Sequence, residues 1–110
     1  MSQMTKRTLQ ILLALLEGPL HGYGIKQAVE DRTDGAVRLG SGTLYEAINR
    51  SVEAGQIEEV AAPDSEPSSG GPPRRFYALT PGGRAALADE IRHLDSMVAY
   101  AKARDLLSRG

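Results

Sequence analysis

Length, composition and charge place the chain among small single domains: it has 110 residues, of which 41% are hydrophobic and 25% charged, with a net charge of −1. The absence of cysteine excludes disulfides and thiolate metal sites, and the longest apolar run, residues 11–16, is too short to span a membrane. With no visible signal peptide, the sequence favours a cytoplasmic bacterial protein, and its near-neutral charge argues mildly against nucleic acid as a partner.

Two helices and a short strand are predicted in the first 40 residues. Leucines repeat at helical spacing along residues 5–17, and Gly18-Pro19 stops this helix because proline cannot continue the hydrogen-bond ladder. A second helix, Tyr23 to Arg32, follows the segment His21-Gly-Tyr-Gly. The alternating residues Val37-Arg-Leu are predicted as one short strand.

The helix predicted from Ser41 to Ala54 is the most informative segment. Ser41 is expected to cap it, and Gly55 to end it in a left-handed conformation. One side is an apolar stripe of Leu44, Ile48 and Val52, flanked by Ala47. The other side carries hydrogen-bonding and charged residues: Thr43, Tyr45, Glu46, Asn49, Arg50 and Glu53. This pattern fits a recognition helix in a DNA major groove, and it equally fits an ordinary surface helix on a small core.

A β-hairpin is predicted after this helix. Its strands are Ile57–Val60 and Arg74–Thr80, and the segment between them is rich in Pro, Asp, Ser, Glu and Gly. Such a composition cannot bury a core, so the tip, residues 62–73, is expected to be flexible. Three helices followed by a hairpin are the element order of a winged helix-turn-helix. The predicted fold class is therefore mainly α with a small β-hairpin, in which the hairpin is the wing.

A long final helix is predicted from Thr80, which can cap it. Its apolar residues follow a heptad seam: Leu87, Ile91, Leu94, Val98 and Ala101. A helix of about 25 residues is roughly 38 Å long, which exceeds what one small domain easily covers. Pairing with a second copy, with a contribution from Leu9 and Leu13, is favoured over folding back on the same domain. The predicted domains are a winged helix-turn-helix, 1–80, and a dimerisation helix, 81–110.

These motifs together resemble the PadR family of bacterial transcriptional regulators. The combination is specific, although any one motif alone is weak, and it covers about residues 7–95. The matching segments are Leu9–Leu16 with Gly18 and His21-Gly-Tyr-Gly, then Gly42–Arg50, Glu53–Glu58 and Arg75–Arg84. The single C-terminal helix is similar to that of the family's small subgroup.

The resemblance implies a homodimer that binds a palindromic operator, usually represses transcription, and is released by a small hydrophobic or phenolic effector. It also implies a set of DNA-facing residues: Tyr23, Lys26, Ser41, Gly42, Thr43, Tyr45, Asn49, Arg50, Arg74 and Arg75. Because Arg74 and Arg75 are adjacent in a strand, at most one of them points squarely at DNA. Met97 and Tyr100 are candidates to line an effector pocket, with simple interface packing as the alternative.

Two positions depart from the family pattern. Ser51 and Gln56 stand where larger apolar residues are usual, and both are expected to thin the core behind the third helix. Residues 51–73 also carry five acidic residues and no basic one. A tight contact between the wing tip and a phosphate is therefore not expected.

Two other function classes fit the sequence less well. An enzyme is disfavoured because no nucleophile has an adjacent base and no phosphate-binding loop or metal-ligand set is present, so no cofactor is predicted. The stronger alternative is a winged helix used for protein contact or ligand sensing, with weak DNA binding. Individual roles also stay open, since Tyr45 can pack on the core, Asn49 can be solvated and Arg50 can pair with Glu46 or Glu53.

Overall fold

The computed structural model describes residues 4–63 and 74–107, and it confirms the predicted fold class. In chain order the elements are α1 (Lys6–Ala14), β1 (Leu20–His21), α2 (Gly22–Arg32), α3 (Ser41–Glu53), β2 (Ile57–Val60), β3 (Phe76–Leu79) and α4 (Pro81–Ala103). The strands form one antiparallel sheet in the order β1-β3-β2. Most of the predicted wing tip, residues 64–73, lies outside the described residues.

The third strand of the sheet is not the one predicted. Residues 37–39 form no strand; Leu39 is buried in the core and Val37 is half-buried, so two inward side chains produce the alternation without a partner strand. The strand is instead Leu20–His21, which pairs with β3 in the register Leu20↔Tyr77 and His21↔Phe76. A two-residue strand is too short to show an alternating pattern in the sequence.

The core lies between the first three helices and is closed by the sheet and the start of α4. Its buried members come from every one of these layers: Ile11, Leu12, Leu15, Ile25, Val29, Leu39, Leu44, Ala47, Ile48, Ile57, Tyr77 and Leu87. Thr5 and His21 cap α1 and α2 by accepting the N–H groups of Thr8 and Gly24, respectively. The caps define where α1 and α2 begin, and the shared core fixes the orientation of α3.

Helix α3 differs from its prediction at two positions. Gly40, in an extended conformation, is the N-cap residue, and Ser41 is the first helical residue with no capping hydrogen bond. The buried stripe passes from Leu44 and Ile48 to Ser51, while Val52 is 40% exposed, because a helix with about 3.6 residues per turn does not hold a strict four-residue spacing. The predicted left-handed end at Gly55 is confirmed, with φ of +75°.

The start of α4 is seated directly on the end of α3. Thr80 donates its backbone N–H to the Gln56 carbonyl at 3.0 Å, and its side chain accepts the Gly83 N–H, as predicted for a cap. A Cβ atom at Gly83 would lie 1.8 Å from the same Gln56 carbonyl oxygen, so only glycine fits this position. Leu87 completes the seat by entering the core.

Candidate nucleic-acid interface

The outward side of α3 carries the polar residues singled out in the sequence. The helix is held by the buried side chains of Leu44, Ala47, Ile48 and Ser51. Its exposed residues include Ser41, Gly42, Thr43, Tyr45, Asn49 and Arg50. The fold therefore does not use these six residues as core, and they share one accessible surface.

The N-terminus of α3 is open to an incoming group. Gly40 provides no side-chain cap, and a Cβ atom at either Gly40 or Gly42 would meet no heavy atom within 4 Å. The first N–H groups of a helix lack intrahelical acceptors and carry a partial positive charge. Together with the exposed hydroxyls of Ser41 and Thr43, they make this turn suited to a phosphate oxygen.

Tyr45 joins α3 to the start of α2. Its hydroxyl is so close to Gly22 that a Cβ atom there would lie 2.5 Å from it, and Gly22 is itself buried. The side chain of Tyr45 is nevertheless 47% exposed. The structure thus shows the core-packing alternative in part, because the ring packs against Gly22 while part of the side chain stays accessible.

Two more candidate residues extend the surface along α2. Tyr23 is 63% exposed, and the Lys26 ammonium nitrogen lies 5.8 Å from the centre of its ring, a cation–π distance. The ring holds the lysine head group on the outer side of α2. A cationic group therefore lies one helical turn from the Tyr45 contact.

The start of the returning wing strand reaches the same place. Arg74 is exposed, and its Nη1 atom lies 3.0 Å from Nε2 of His21, the residue that caps α2. Arg75 is exposed as well. The β1–β3 pairing, which sets His21 opposite Phe76, thereby brings the wing arginines beside the start of α2.

His21 belongs to this surface although it was not among the candidate residues. Its ring is stacked near Tyr23, with centres 6.5 Å apart, and meets Phe76 edge-on at 5.3 Å. The signal in the sequence is its position three residues before Gly24, where a side-chain acceptor caps a helix. Histidine is not a usual capping residue, so this spacing alone does not identify His21 as the cap of α2.

Acidic residues limit the positive character of α3. Arg50 pairs with Glu46 at 3.5 Å, which is the alternative role foreseen for it, and both side chains are largely exposed. Exposed pairs of this kind contribute about 0–1 kcal/mol, so Arg50 can exchange its partner for a phosphate at little cost. Glu53 is exposed on the same helix.

A cavity of about 950 Å³ lies behind α3, and Arg50 belongs both to its wall and to the polar surface of α3. Its walls come from α1 and the preceding residues, α3 with the following turn, and α4: Met4, Thr5, Thr8, Arg50, Ser51, Ala54, Gln56, Ala86, Asp89, Glu90 and His93. Ser51 is 2% exposed, and its Oγ has no hydrogen-bond partner among the described residues. The expected thinning of the core at Ser51 therefore takes the form of a cavity with an unpaired hydroxyl.

The predicted effector residues are not part of this cavity. Met97 and Tyr100 are exposed on the distal part of α4, and the Arg104 guanidinium lies 3.7 Å from the centre of the Tyr100 ring.

Within residues 4–63 and 74–107, no group of three or more His, Cys, Asp or Glu side chains is placed to hold a metal ion. The same residues contain no helix long and apolar enough to cross a membrane.

Comparison with known proteins places these features in a family. A relative, a 37.1 kDa protein in transposon TN4556 of Streptomyces fradiae, is 33% identical over 117 residues; the match covers 89% of this chain, which spans only 31% of that protein. A PadR family transcription regulator from Clostridium difficile R20291 has a similar fold, with a TM-score of 0.73 at 23% identity and coverage of 90% of this chain and 97% of that one.

A second solved structure, Bacillus subtilis PadR in complex with operator DNA, matches with a TM-score of 0.67 at 20% identity, over 81% of this chain and 48% of that one. The model of the transcriptional regulator PadR-like family itself matches residues 11–89. That family consists of transcription regulators and not of enzymes. The chain therefore belongs to the PadR-like family of transcriptional regulators.

Proposed function

We propose that the chain is a homodimeric, sequence-specific repressor that binds a palindromic operator and is released by a small hydrophobic or phenolic effector. The observation that carries this proposal is the pairing of an exposed polar side of α3 with an exposed apolar seam on α4. One surface suits the polar edges of base pairs, and the other suits a second copy. The operator complex of the Bacillus subtilis protein supports the same use of the fold.

The dimer is argued from α4. Beyond Leu87 the seam leaves the domain, and Ile91 and Val98 are 40% and 42% exposed. Leu94 and Ala101 are half-buried, as are Leu9 and Leu13 on α1. Exposed apolar residues at heptad spacing are typical of a helix that packs against another helix, so a second α4 is the partner that fits.

Base reading is assigned to the middle of α3. Asn49 has the amide geometry that pairs with adenine, and Arg50 suits guanine or a phosphate. Ser41, Thr43 and Tyr45, together with Lys26, Arg74 and Arg75, are assigned to the phosphates that flank these bases. The acidic residues of α3 keep the electrostatic share of the affinity modest, so specificity depends on these base contacts.

The effector is assigned to the cavity behind α3. A volume of about 950 Å³ falls within the range of small-molecule sites, and its walls combine polar side chains with apolar ones such as Met4 and Ala86. A molecule there touches both α3 and α4. It would thereby change the angle between the helix that reads DNA and the helix that joins the two copies, while Met97 and Tyr100 stay candidates for a pocket between copies.

A protein-contact module is the alternative, and one observation favours it. Glu58 and Glu59 are exposed on β2, a strand of the wing hairpin, and they put negative charge on the wing. A protein-contact module would not require the cationic residues near α2 to bind phosphates.

The deciding experiment is selection of bound duplexes from a random pool, followed by gel shifts of the selected and scrambled duplexes across a salt series. A regulator gives a two-fold symmetric selected site, a large preference over scrambled DNA and an affinity that falls steeply with salt. Weak binding that is equal for both duplexes and insensitive to salt would favour the protein-contact module.

A further inference from the structure

Position 22 requires glycine for space and not for backbone conformation. Gly22 is the first residue of α2 and is buried. Its φ lies outside the left-handed region that Gly18, Gly35 and Gly55 occupy, so its backbone does not require glycine. A Cβ atom at Gly22, however, would lie 2.5 Å from Oη, 2.8 Å from Cζ and 2.9 Å from Cε1 of Tyr45. The missing side chain therefore makes room for the Tyr45 ring.

The crowded atoms are at the outer end of the Tyr45 side chain. Tyr45 is 47% exposed, so rotation about its side-chain bonds can move the hydroxyl end of the ring towards solvent. A methyl group added at Gly22 would therefore displace that end at little cost in stability. At Gly83, by contrast, the obstacle is backbone. The space at Gly22 thus matters less for the stability of the fold than for the place at which the Tyr45 hydroxyl is held.

That place is beside a cationic group of α2. Lys26 follows Gly22 by one helical turn, and residues four apart lie on the same side of a helix. The Tyr23 ring, 5.8 Å from the Lys26 ammonium nitrogen, keeps the cation on this side. Within the part of the chain that the structure describes, neither the Tyr45 hydroxyl nor the Lys26 ammonium takes part in a hydrogen bond or ion pair. One O–H donor from α3 and one ammonium from α2 are thus available together.

We infer that Gly22 is a positioning residue for DNA binding: it leaves room for the Tyr45 ring and so holds the phenol hydroxyl where it donates to the backbone phosphate that Lys26 also contacts. Tyr45 and Lys26 touch the phosphate, whereas Gly22 acts only through Tyr45. A donor that is already in place loses less conformational entropy on binding, so the contact with Gly22 contributes to affinity. This inference rests on the proposed function, because it concerns one phosphate contact of that same DNA surface.

The test compares Gly22→Ala with Gly24→Ala, a matched control two residues further along α2. A Cβ atom at Gly24 would meet its nearest atom at 3.4 Å, an ordinary contact, and both exchanges add the same helix-favouring methyl group. Tyr45→Phe, which removes only the hydroxyl, is the reference. Affinity is measured on a duplex selected by the wild-type protein, unmodified and with single methylphosphonates along each strand, and melting temperatures are recorded for every variant.

Gly22→Ala should weaken binding about tenfold, as Tyr45→Phe does, because each loses a hydrogen bond to a charged group. Gly24→Ala should bind as the wild type does, and all three variants should melt close to it. Neutralising one phosphate in each half-site should weaken the wild type strongly, and should weaken Gly22→Ala and Tyr45→Phe by a smaller factor. A Gly22→Ala protein with wild-type affinity, or with an undiminished penalty at that phosphate, overturns the inference.

Two double variants separate displacement of the hydroxyl from a general change in the fold. Adding Tyr45→Phe to Gly22→Ala should cost no further affinity, since two changes that remove the same contact are not additive. In a Tyr45→Ala background the crowding atoms are gone, so Gly22→Ala should alter neither affinity nor melting temperature there, even if Gly22→Ala alone fails to fold. Losses that multiply in the first pair, or an effect that persists in the second, overturn the inference.

The wild-type protein distinguishes this inference from the proposed function. If it binds no duplex, the proposed function is overturned and the role of Gly22 with it. If it binds a selected duplex and Gly22→Ala binds that duplex equally well, only the role of Gly22 is overturned.

Discussion

Helices α3 and α4 are both amphipathic, yet the fold treats their apolar sides differently. The apolar side of α3 is buried in the core, with Leu44 and Ile48 almost fully inaccessible to solvent. The seam of α4 is buried at Leu87 and then becomes exposed at Ile91 and Val98. What remains outside is therefore polar on α3 and apolar on α4, and the two helices suit partners of opposite chemistry.

The difference comes from length and not from pattern. Helix α3 has 13 residues and is covered along its apolar side by the domain, whereas α4 has 23 residues and extends past it. A partner for α4 is expected to stabilise the protein, while a partner for α3 is expected to contribute specificity.

The strongest way to break this comparison is Ile91→Asp. A carboxylate in an apolar helix pair is costly, so the variant should be monomeric and lose tight operator binding by about a hundredfold or more, as one half-site alone binds weakly. Sedimentation and gel shifts measure both effects. Ser96→Asp, which puts the same group on the opposite side of α4, should stay dimeric; a dimeric Ile91→Asp would show that the seam packs elsewhere.

Gly83→Ala tests whether the start of α4 packs on the domain as tightly as α3 does. The added methyl would meet the Gln56 carbonyl, so the free energy of unfolding should fall by about 1–3 kcal/mol, as for other overpacked sites. Gly82→Ala is the matched control, because its Cβ would meet the nearest atom at 3.6 Å. Urea unfolding of the two variants should differ clearly, and equal stabilities would contradict the tight seat.

Asn49→Ala sharpens the assignment of specificity to α3. Loss of its amide should relax discrimination at one base step by about 1–3 kcal/mol, with little change in the dimer. In selection from a random pool, this loss would appear as one position of the selected site at which no base is preferred. Glu53→Gln on the same helix should instead raise affinity for all duplexes and leave the selected site unchanged; an unaltered profile for Asn49→Ala would remove that residue from base reading.

Ser51→Ala is the smallest expected effect and concerns the buried side of α3. Removing an unpaired buried hydroxyl should raise the free energy of unfolding by about 1 kcal/mol. Ser96→Ala makes the same exchange on the exposed side of α4, and subtracting its effect removes the gain in helix propensity. Thermal and urea unfolding measure both, and a destabilised Ser51→Ala would mean that the hydroxyl has a partner in solution.

The helices and the hairpin could be predicted because their signals are periodic and local. Leucine spacing gave α1, the polar and apolar sides gave α3, and Thr80 with Pro81 marked the start of α4. The contacts that shape the site are not local. The packing of Tyr45 on Gly22, the strand at Leu20–His21 and the meeting of His21 with Arg74 all join segments that the sequence keeps apart, so no short pattern contains them.

Errors at single residues have equally specific causes. Ser41 is a good capping residue, yet Gly40 takes the cap position because the helix already begins at Ser41, one residue earlier than a Ser41 cap would allow. Val37 and Leu39 alternate as a strand does, but they do so within a loop. In each case tertiary packing of the neighbouring elements outweighed a favourable local preference.

The seat of α4 on the turn after α3 has a consequence for target choice. Thr80 and Gly83 pack so closely on the Gly55–Gln56 turn that α3, the proposed reading helix, and α4, the proposed dimer helix, meet at one stiff corner. In a dimer joined through α4, two such corners hold the reading helices at a set separation and rotation. An operator with one extra base pair at its centre would turn one half-site away by about 35°, given 10–10.5 base pairs per turn, and stiff corners cannot follow it.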